Sequence, residues 1–376
     1  MKPLGLYIHI PFCRRKCHYC DFVSFPGCEA LMDDYIGALI AEARLYSDYL
    51  KDHTIDTLFI GGGTPSLLSP AQIEKLIKGI KSVCDFGLCE ATIEANPETL
   101  DEEKLAAYAA CGINRLSLGL QTHDNGILKN IGRRHTFEQF LNVYETAGRY
   151  FDNINADTIF GLPGQTQSNF MATVGKLIEL LPAHVSAYSL KLEECTKLYE
   201  TYKGADEDTD REMYHAAAAM LCGAGYTHYE TSNFARPGFE CLHNLKYWTG
   251  EEYLGLGVAA HSYITCKYKQ RFGNTEDIYE YIKSVEKGEK PAGEISAISE
   301  NDEITEYIML RLRLKQGIIF SDFNSRFNLD FEKTFGRPIE FSQSAGLITR
   351  DELGIYPTLK GFDLQNTLIG EFLKIL

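Results

Sequence analysis

The stretch HIPFCRRKCHYCDF, from His9 to Phe22, places three cysteines within eight positions directly after a short apolar run. These are Cys13, Cys17 and Cys20, and Phe22 stands two positions beyond the last of them. Thiolates are the usual ligands of iron–sulfur clusters, and four of them commonly hold a 4Fe-4S cluster. Three cysteines would hold three irons and leave the fourth iron open to an exchangeable chelator.

A structural zinc site is the alternative interpretation, and His18 within the same loop could complete its ligand shell. Zinc prefers paired Cys or Cys/His knuckles in a closed tetrahedral arrangement, and the sequence contains no second knuckle. Plain buried thiols are a further alternative. The spacing favours the cluster.

Six short apolar segments, each followed by a stretch of helical periodicity, predict a parallel sheet built from βα units. The helical stretches include residues 31–50 and 101–111. Six units without a second half predict an α/β fold with a partial (β/α)6 barrel. The predicted strands are residues 4–10, 55–60, 91–95, 114–119, 154–159 and 184–190.

Polar and glycine residues follow the predicted strands at the point where each strand ends. Functional groups of parallel α/β barrels collect there, because the carboxyl ends of the strands meet at one mouth. A glycine run also lets backbone N–H groups approach a ligand closely. The sequence therefore predicts one ligand site that combines the cysteine loop with Gly62, Gly63, Thr64, Glu94, Gln121, Asp157 and Lys191.

The rest of the chain predicts a helix at 206–224, a strand at 226–231 and then a loop with the sequence SNFARPGFECLHNLKYW. From Ser299 a capped helix, further helical patterns, a hairpin and a closing helix resemble a small, mostly helical, winged-helix-like domain. We expect three parts: residues 1–230 as the barrel, 231–295 as its extension and 296–376 as the C-terminal domain.

Composition limits the possible partners. The chain has 376 residues, 44% apolar side chains and a formal net charge of −15, which argues against nucleic acid or an anionic membrane surface. No stretch approaches the about 18 apolar residues of a membrane span, so stable membrane insertion is not expected. The N-terminus lacks the pattern of a signal peptide, and the eleven cysteines are an odd number, so we expect a cytoplasmic protein with reduced thiols.

Seven motifs in order along the chain resemble the oxygen-independent coproporphyrinogen III oxidase group of the radical S-adenosylmethionine (SAM) superfamily, and within it the HemW-type heme chaperones. The motifs are YIHIPFCRRKCHYCDF, FIGGGTPSLL, IEANPETL, NRLSLGLQ, GRRHT, DTIFGLPGQT and YETSNFARPGFECLHNLKYW. The resemblance implies a 4Fe-4S cluster on the three cysteines, with SAM on the fourth iron. It implies cofactor contacts at Tyr7, Tyr19, Gly62, Gly63, Thr64, Glu94, Gln121, Arg133, Asp157 and Lys191.

Two features match the chaperone branch of that group. Phe22 stands where the decarboxylating oxidases carry a further cysteine, and HNLKYW matches the HNxxYW pattern. The resemblance implies heme contact in this segment, and the residue types offer an iron ligand and an aromatic wall. The candidates are His243, Asn244, Tyr247 and Trp248, with His261 as a second histidine; the alternative is that the lone tryptophan only packs a loop.

The resemblance leaves two main functions. In the first, the protein binds heme, a 4Fe-4S cluster and SAM and transfers heme to an acceptor hemoprotein. In the second, it is an oxygen-independent coproporphyrinogen III oxidase or another radical-SAM enzyme that acts on a tetrapyrrole. The absent fourth cysteine counts against the oxidase but does not prevent SAM cleavage, so whether the chain is an enzyme stays open.

Overall fold

The outward-facing residues of the first strand, Leu4, Leu6 and Ile8, are at most 1% exposed and belong to a core of 58 buried residues. In the computed structural model, which describes all 376 residues, this strand lies near the middle of a 12-stranded sheet. The strands of that sheet are β1 (Lys2–Ile10), β2 (His53–Gly62), β3 (Asp85–Ala95), β4 (Arg115–Gln121), β5 (Asn153–Phe160), β6 (His184–Ser189), β7 (Thr227–Glu230), β8 (Asn233–Ala235), β9 (Tyr253–Leu256), β10 (His261–Thr265), β11 (Lys269–Gly273) and β12 (Ser296–Ala297).

The order of strands is β12-β11-β10-β9-β1-β2-β3-β4-β5-β6-β8-β7. Strands β1 to β6 pair in parallel, which confirms the six predicted strands and the partial barrel. Strand β9 also pairs with β1 in parallel, while β8 pairs with β6 in the antiparallel direction. We call the carboxyl ends of β1 to β6 the mouth, and the opposite end the closed end.

The helices pack mainly on the outer face of the sheet, where the apolar residues of each strand point. Side-chain capping boxes begin three of them, at Ser69, Thr136 and Ser299. The helices are α1 (Met32–Leu45), α2 (Ser47–Leu50), α3 (Pro70–Lys81), α4 (Glu102–Ala110), α5 (Asn125–Asn130), α6 (Phe137–Ala147), α7 (Gln167–Leu180), α8 (Lys197–Thr201), α9 (Glu207–Gly223), α10 (Leu242–Thr249), α11 (Ile278–Glu286), α12 (Glu300–Arg311), α13 (Phe320–Phe327), α14 (Phe331–Ser344), α15 (Leu359–Asp363) and α16 (Gln365–Leu373).

The segment predicted as a loop after β7 instead contains strand β8 and helix α10. Because β8 lies beside β6 and β9 lies beside β1, on opposite sides of the six parallel strands, the chain between them crosses the closed end. Glu90, which is 3% exposed, accepts hydrogen bonds from the backbone N–H groups of Leu242 and His243, each at 3.0 Å. Helix α10 therefore covers the closed end of the barrel, and we call it the plug helix. Its N-terminus is capped by a carboxylate that is distant in sequence.

Residues 304–372 contain a second hydrophobic core of 17 buried residues. Strands β13 (Ile318–Ile319), β14 (Ile348–Arg350) and β15 (Gly354–Pro357) form a small sheet beside helices α12 to α16, and the β14–β15 hairpin is the one that the sequence predicts. No helix in the structure combines the length and the apolar character needed to cross a membrane.

Replacing Glu90 by glutamine tests the plug. The variant loses a charged acceptor at the start of α10 and places an amide group among backbone donors, so we expect the free energy of unfolding to fall by about 2 kcal/mol. Urea unfolding followed by circular dichroism measures this change. Glu179→Gln on the exposed face of α7 is the matched control; equal stability of the two variants would contradict the capping role.

A candidate cofactor site at the mouth of the barrel

A cavity of about 420 Å³ opens at the mouth. Its lining combines the cysteine loop with residues from the ends of five strands, as the sequence predicts for a single site. The sequence-predicted residues that line it are Cys13, Cys17, Tyr19, Cys20, Gly62, Gly63, Thr64, Glu94, Gln121, Arg133, Asp157 and Lys191. Tyr7 lies outside the lining, and its hydroxyl is 3.0 Å from Nδ1 of His9.

The three cysteines of the loop face this cavity, and none of the other eight cysteines lines it. Sγ of Cys13 is buried and lies 3.3 Å from Oγ1 of Thr64. Burial raises the pKa of the Cys13 thiol, and burial likewise raises the pKa of Cys20 to about 11. Both groups are therefore protonated thiols at neutral pH until a metal displaces the protons.

The structure does not show the ligand arrangement that a structural zinc site requires. His18 directs Nδ1 to the backbone carbonyl of Asn130 at 2.9 Å. No three His, Cys, Asp or Glu side chains converge as ligands of a single metal ion would. All three cysteines line one cavity, which leaves room beside them for a multi-iron cluster.

The glycines after β2 form a cradle that side chains would fill. Gly62 has φ +107°, and a Cβ built on it would lie 2.5 Å from the ring of His9. A Cβ on Gly63 would lie 2.8 Å from the carbonyl oxygen of Phe12 and 3.1 Å from Sγ of Cys13. Only glycine permits this close approach of the backbone to the cysteine loop.

Two carboxylates, Glu94 and Asp157, face the cavity from β3 and β5. Burial, together with the charge of Asp157, raises the pKa of Glu94 to about 7, although Oε2 accepts a hydrogen bond from Gly62 N–H at 3.0 Å. Burial also raises the pKa of Asp157, while hydrogen bonds from Asn155 and other neighbours oppose that shift. Two adjacent carboxylates with limited solvent contact favour a cationic ligand.

Arg133 is half-buried and closes one side of the cavity. Its guanidinium donates to the Tyr19 hydroxyl at 2.8 Å and 3.0 Å, lies over the Tyr19 ring, and also contacts Oδ1 of Asn96. Arg133 is thus held by Tyr19 and Asn96 in the lining of the cavity rather than extended into solvent. A fixed, partly desolvated guanidinium suits a carboxylate ligand.

Gln121 adopts φ +71°, a left-handed conformation that is uncommon for residues other than glycine. The Thr158 hydroxyl donates to its carbonyl at 2.8 Å, and the register of β4 and β5 shifts at this position. A Cβ on Gly119 would lie 2.8 Å from Nε2 of Gln121 and 3.1 Å from Nη2 of Arg133. Gly119 thus makes room for both side chains.

Sequence reasoning missed several residues of the lining. Tyr188 on β6 is 40% exposed, and Asn96 directly follows β3. The alternation of inward-facing residues along a strand could have identified both. Tyr188 lies two residues after Ser186, and Asn96 lies two residues after Glu94. Phe22, singled out in sequence for another reason, is 62% exposed at the rim of the cavity.

The HNxxYW residues do not lie at the mouth. His243 on α10 is 0% exposed, its Nδ1 is 3.0 Å from Oγ1 of Thr57, and its Nε2 is 2.8 Å from the Tyr247 hydroxyl. With both ring nitrogens engaged inside the closed end, His243 is not presented to a heme iron. The role of His243 as a heme ligand stays a prediction, and it would require both of these hydrogen bonds to break.

The neighbours of His243 also have packing contacts. Tyr247 meets the Tyr253 ring edge-on at 4.6 Å between centroids, and Trp248 lies under the guanidinium of Arg313 at 5.7 Å. Asn244 is half-buried on the same helix. The alternative in which the tryptophan and its neighbours pack a segment describes these contacts better than a heme pocket does.

His261 has a different environment. It begins β10, two strands from β1, and pairs with Gly273 of β11. His261 is exposed. Its ring packs against Gly273, where a Cβ would lie 2.9 Å from the ring.

The residues at the mouth fit the two groups that the resemblance implies there. Three cysteines around one space have the chemistry for three irons of a 4Fe-4S cluster. Beside them, the glycine cradle offers close backbone contact, the carboxylates Glu94 and Asp157 suit an ammonium or sulfonium, and Arg133 suits a carboxylate. The donor set is thus that of a cluster with a zwitterionic ligand.

Comparison with known proteins agrees with this chemistry. Residues 7–177 match the radical SAM superfamily, and residues 298–364 match the HemN C-terminal domain. Among solved structures, coproporphyrinogen III oxidase (HemN) from Escherichia coli, described as a radical SAM enzyme, is similar with a TM-score of 0.88 and 25% identity. The similarity covers 100% of this chain and 91% of that one.

Two curated relatives carry the name heme chaperone HemW. The protein from Lactococcus lactis is 37% identical, over 99% of this chain and 98% of its own length. The protein from Bacillus subtilis is 35% identical, with 98% of each chain covered. Identity at this level along nearly the whole length shows the family: the chain belongs to the HemW family of the radical SAM superfamily.

Proposed function

We propose that this protein is a heme chaperone that holds a 4Fe-4S cluster and SAM at the mouth, binds heme and passes it to an acceptor hemoprotein. The observation that carries the proposal is the single cavity that gathers three cysteines while Phe22 occupies the rim. The names of the relatives support heme as the ligand.

The residues at the mouth have distinct tasks in this proposal. Cys13, Cys17 and Cys20 would hold three irons of the cluster and leave the fourth iron for SAM. When bound, the cluster and SAM would together supply one-electron chemistry at the sulfonium. Glu94 and Asp157 hold the cationic part of the ligand, while Arg133 pairs with its carboxylate.

The heme site is proposed to use His261 rather than His243 as the iron ligand. His261 is exposed on β10, whereas His243 is buried on α10. His243 would have to break two hydrogen bonds and leave the closed end. An exposed position also suits heme that must be transferred to another protein.

The second candidate function is oxidative decarboxylation of coproporphyrinogen III, which the similarity to the HemN structure favours. Three thiols suffice for SAM cleavage, so the cluster site does not decide between the two functions. Phe22 counts against the oxidase, because an aromatic ring cannot supply the additional thiolate of the oxidases that the chain resembles.

An anaerobic assay distinguishes the two functions. With a reconstituted cluster, SAM and a reductant, we expect one heme to bind per chain and no multiple-turnover conversion of coproporphyrinogen III to protoporphyrinogen. Heme binding is followed by the Soret absorbance and product formation by chromatography. Sustained turnover would overturn the chaperone proposal, and the triple cysteine-to-alanine variant controls for cluster-independent binding.

Replacing each histidine by alanine tests the heme ligand. Loss of one iron ligand in His261→Ala should weaken heme binding by about tenfold or more, which corresponds to about 1.4 kcal/mol. His243→Ala should lower the urea midpoint but leave the heme affinity of the folded protein within about twofold. The reverse pattern in heme titrations would place the ligand on α10.

SAM affinity should depend on pH through Glu94. Because its pKa is raised to about 7, the carboxylate loses its charge as the pH falls, and a cationic ligand then binds less well. Between pH 7.5 and pH 6 we expect the affinity to fall about fivefold to tenfold, as measured by calorimetry. The charged groups near Glu94 are Asp157, Arg115 and Arg133, and three tyrosines also lie close enough for its charge to raise their pKa: Tyr7, Tyr188 and Tyr247.

The variant Glu94→Gln should bind SAM weakly with a flattened pH dependence. Glu102→Gln on α4, where the carboxylate is exposed and pairs with Arg149, is the control and should behave like the unmodified protein. An unchanged pH profile in Glu94→Gln would show that another group controls binding.

A further inference from the structure

A chain of four hydrogen bonds, three buried and the last half-buried, runs through the barrel from the start of α10 to Asp157. The backbone N–H of Cys241 donates to the Tyr229 hydroxyl at 3.2 Å, and that hydroxyl is 2.8 Å from Nε2 of His184. Nδ1 of His184 is 2.7 Å from Oδ1 of Asn155. Nδ2 of Asn155 donates to Oδ1 of Asp157 at 2.7 Å. The chain thus joins the closed end to the mouth.

The chemistry of its members fixes the direction of every bond. A carboxylate only accepts, so Asn155 turns its amide N–H toward Asp157 and its oxygen toward His184. His184 must then donate from Nδ1, which leaves Nε2 to accept from the Tyr229 hydroxyl. Burial and the nearby Arg115 lower the pKa of His184, consistent with a neutral ring. All four donors point toward Asp157.

Burial makes this chain hard to replace. His184 is 1% exposed, Asn155 is 2% exposed and Tyr229 is 7% exposed. A buried donor or acceptor that loses its partner costs about 1–3 kcal/mol, and aligned bonds polarise one another. A displacement of α10 therefore changes the hydrogen bonds at Asp157, at the other end of this series of hydrogen bonds.

The mouth end of the chain is held in place laterally. Ser117 donates to Oδ2 of Asp157 at 3.2 Å, and Ser186 donates to Oδ1 of Asn155 at 3.1 Å. The serines fix the two side chains against sideways movement. His184 and Tyr229 are then the links that connect Asp157 to the plug helix.

We infer that His184 and Tyr229 are positioning residues that orient Asp157 toward a cationic ligand and couple ligand binding at the mouth to the position of helix α10. The inference rests on the proposed function, in which SAM supplies the cation. By reciprocity of linked equilibria, a change at α10 alters the affinity for SAM by the same factor by which SAM alters α10.

Two buried tyrosines of the protein give a matched pair of variants. Tyr229→Phe removes one hydroxyl from the middle of the hydrogen-bonded chain. Tyr226→Phe removes an equally buried hydroxyl that donates to the Pro182 carbonyl at 2.6 Å and takes no part in it. Trp248, the one tryptophan, lies on α10 and reports on the helix through its fluorescence.

The experiment titrates SAM into the full, cluster-reconstituted chain under anaerobic conditions and records both the affinity and the emission maximum of Trp248. Tyr229→Phe should weaken SAM binding about threefold to tenfold and abolish the SAM-dependent shift of the emission maximum, whereas Tyr226→Phe should keep both. Should Tyr229→Phe fail to fold, His184→Phe breaks the chain at the next link and is expected to give the same two losses.

Equal affinities and equal emission shifts in Tyr229→Phe, Tyr226→Phe and the unmodified protein would overturn the coupling while leaving the proposed function intact. No emission shift in the unmodified protein despite SAM binding would also overturn it. Absence of SAM binding to the unmodified protein would overturn the proposed function and the coupling together.

Discussion

The hydrogen bonds that Glu90 accepts from the N-terminus of α10 close one end of a barrel that its strands leave incomplete. A barrel of six parallel strands with a polar interior needs such a closure, because buried polar groups must find partners. The interior residues Arg115, His184 and His243 would otherwise face water at this end. The mouth can remain open for ligands because the other end is sealed.

The sequence predicted the parallel sheet and the mouth because both depend on local signals. Alternation within each strand decides which residues point inward, and parallel strands bring their carboxyl ends together whatever the loops between them do. Glu94, Gln121 and Asp157 were therefore predicted to share a site with the cysteines, and they line one cavity. The left-handed conformation of Gln121 could not be predicted in this way. A bulge between Gly119 and Gln121 interrupts the alternation of inward- and outward-facing residues in β4.

Helix α10 could not be predicted from its own residues. Its cap is the side chain of Glu90, more than a hundred residues earlier, so the local signal of a Ser, Thr, Asp or Asn before the helix is missing. The same helix decides where His243 lies. The HNxxYW residues, for which the resemblance implies heme contact, lie at the closed end, because the chain must cross from β8, beside β6, to β9, beside β1.

The burial of the cysteine loop has a consequence for the protein before it receives iron. Disulfide formation and oxidation proceed through the thiolate, and the raised pKa values of Cys13 and Cys20 keep that species scarce at neutral pH. Cys195 and Cys266, by contrast, are exposed, so oxidants reach their sulfur atoms without entering a cavity. Burial thus disfavours oxidation of two of the three predicted iron ligands relative to the surface cysteines.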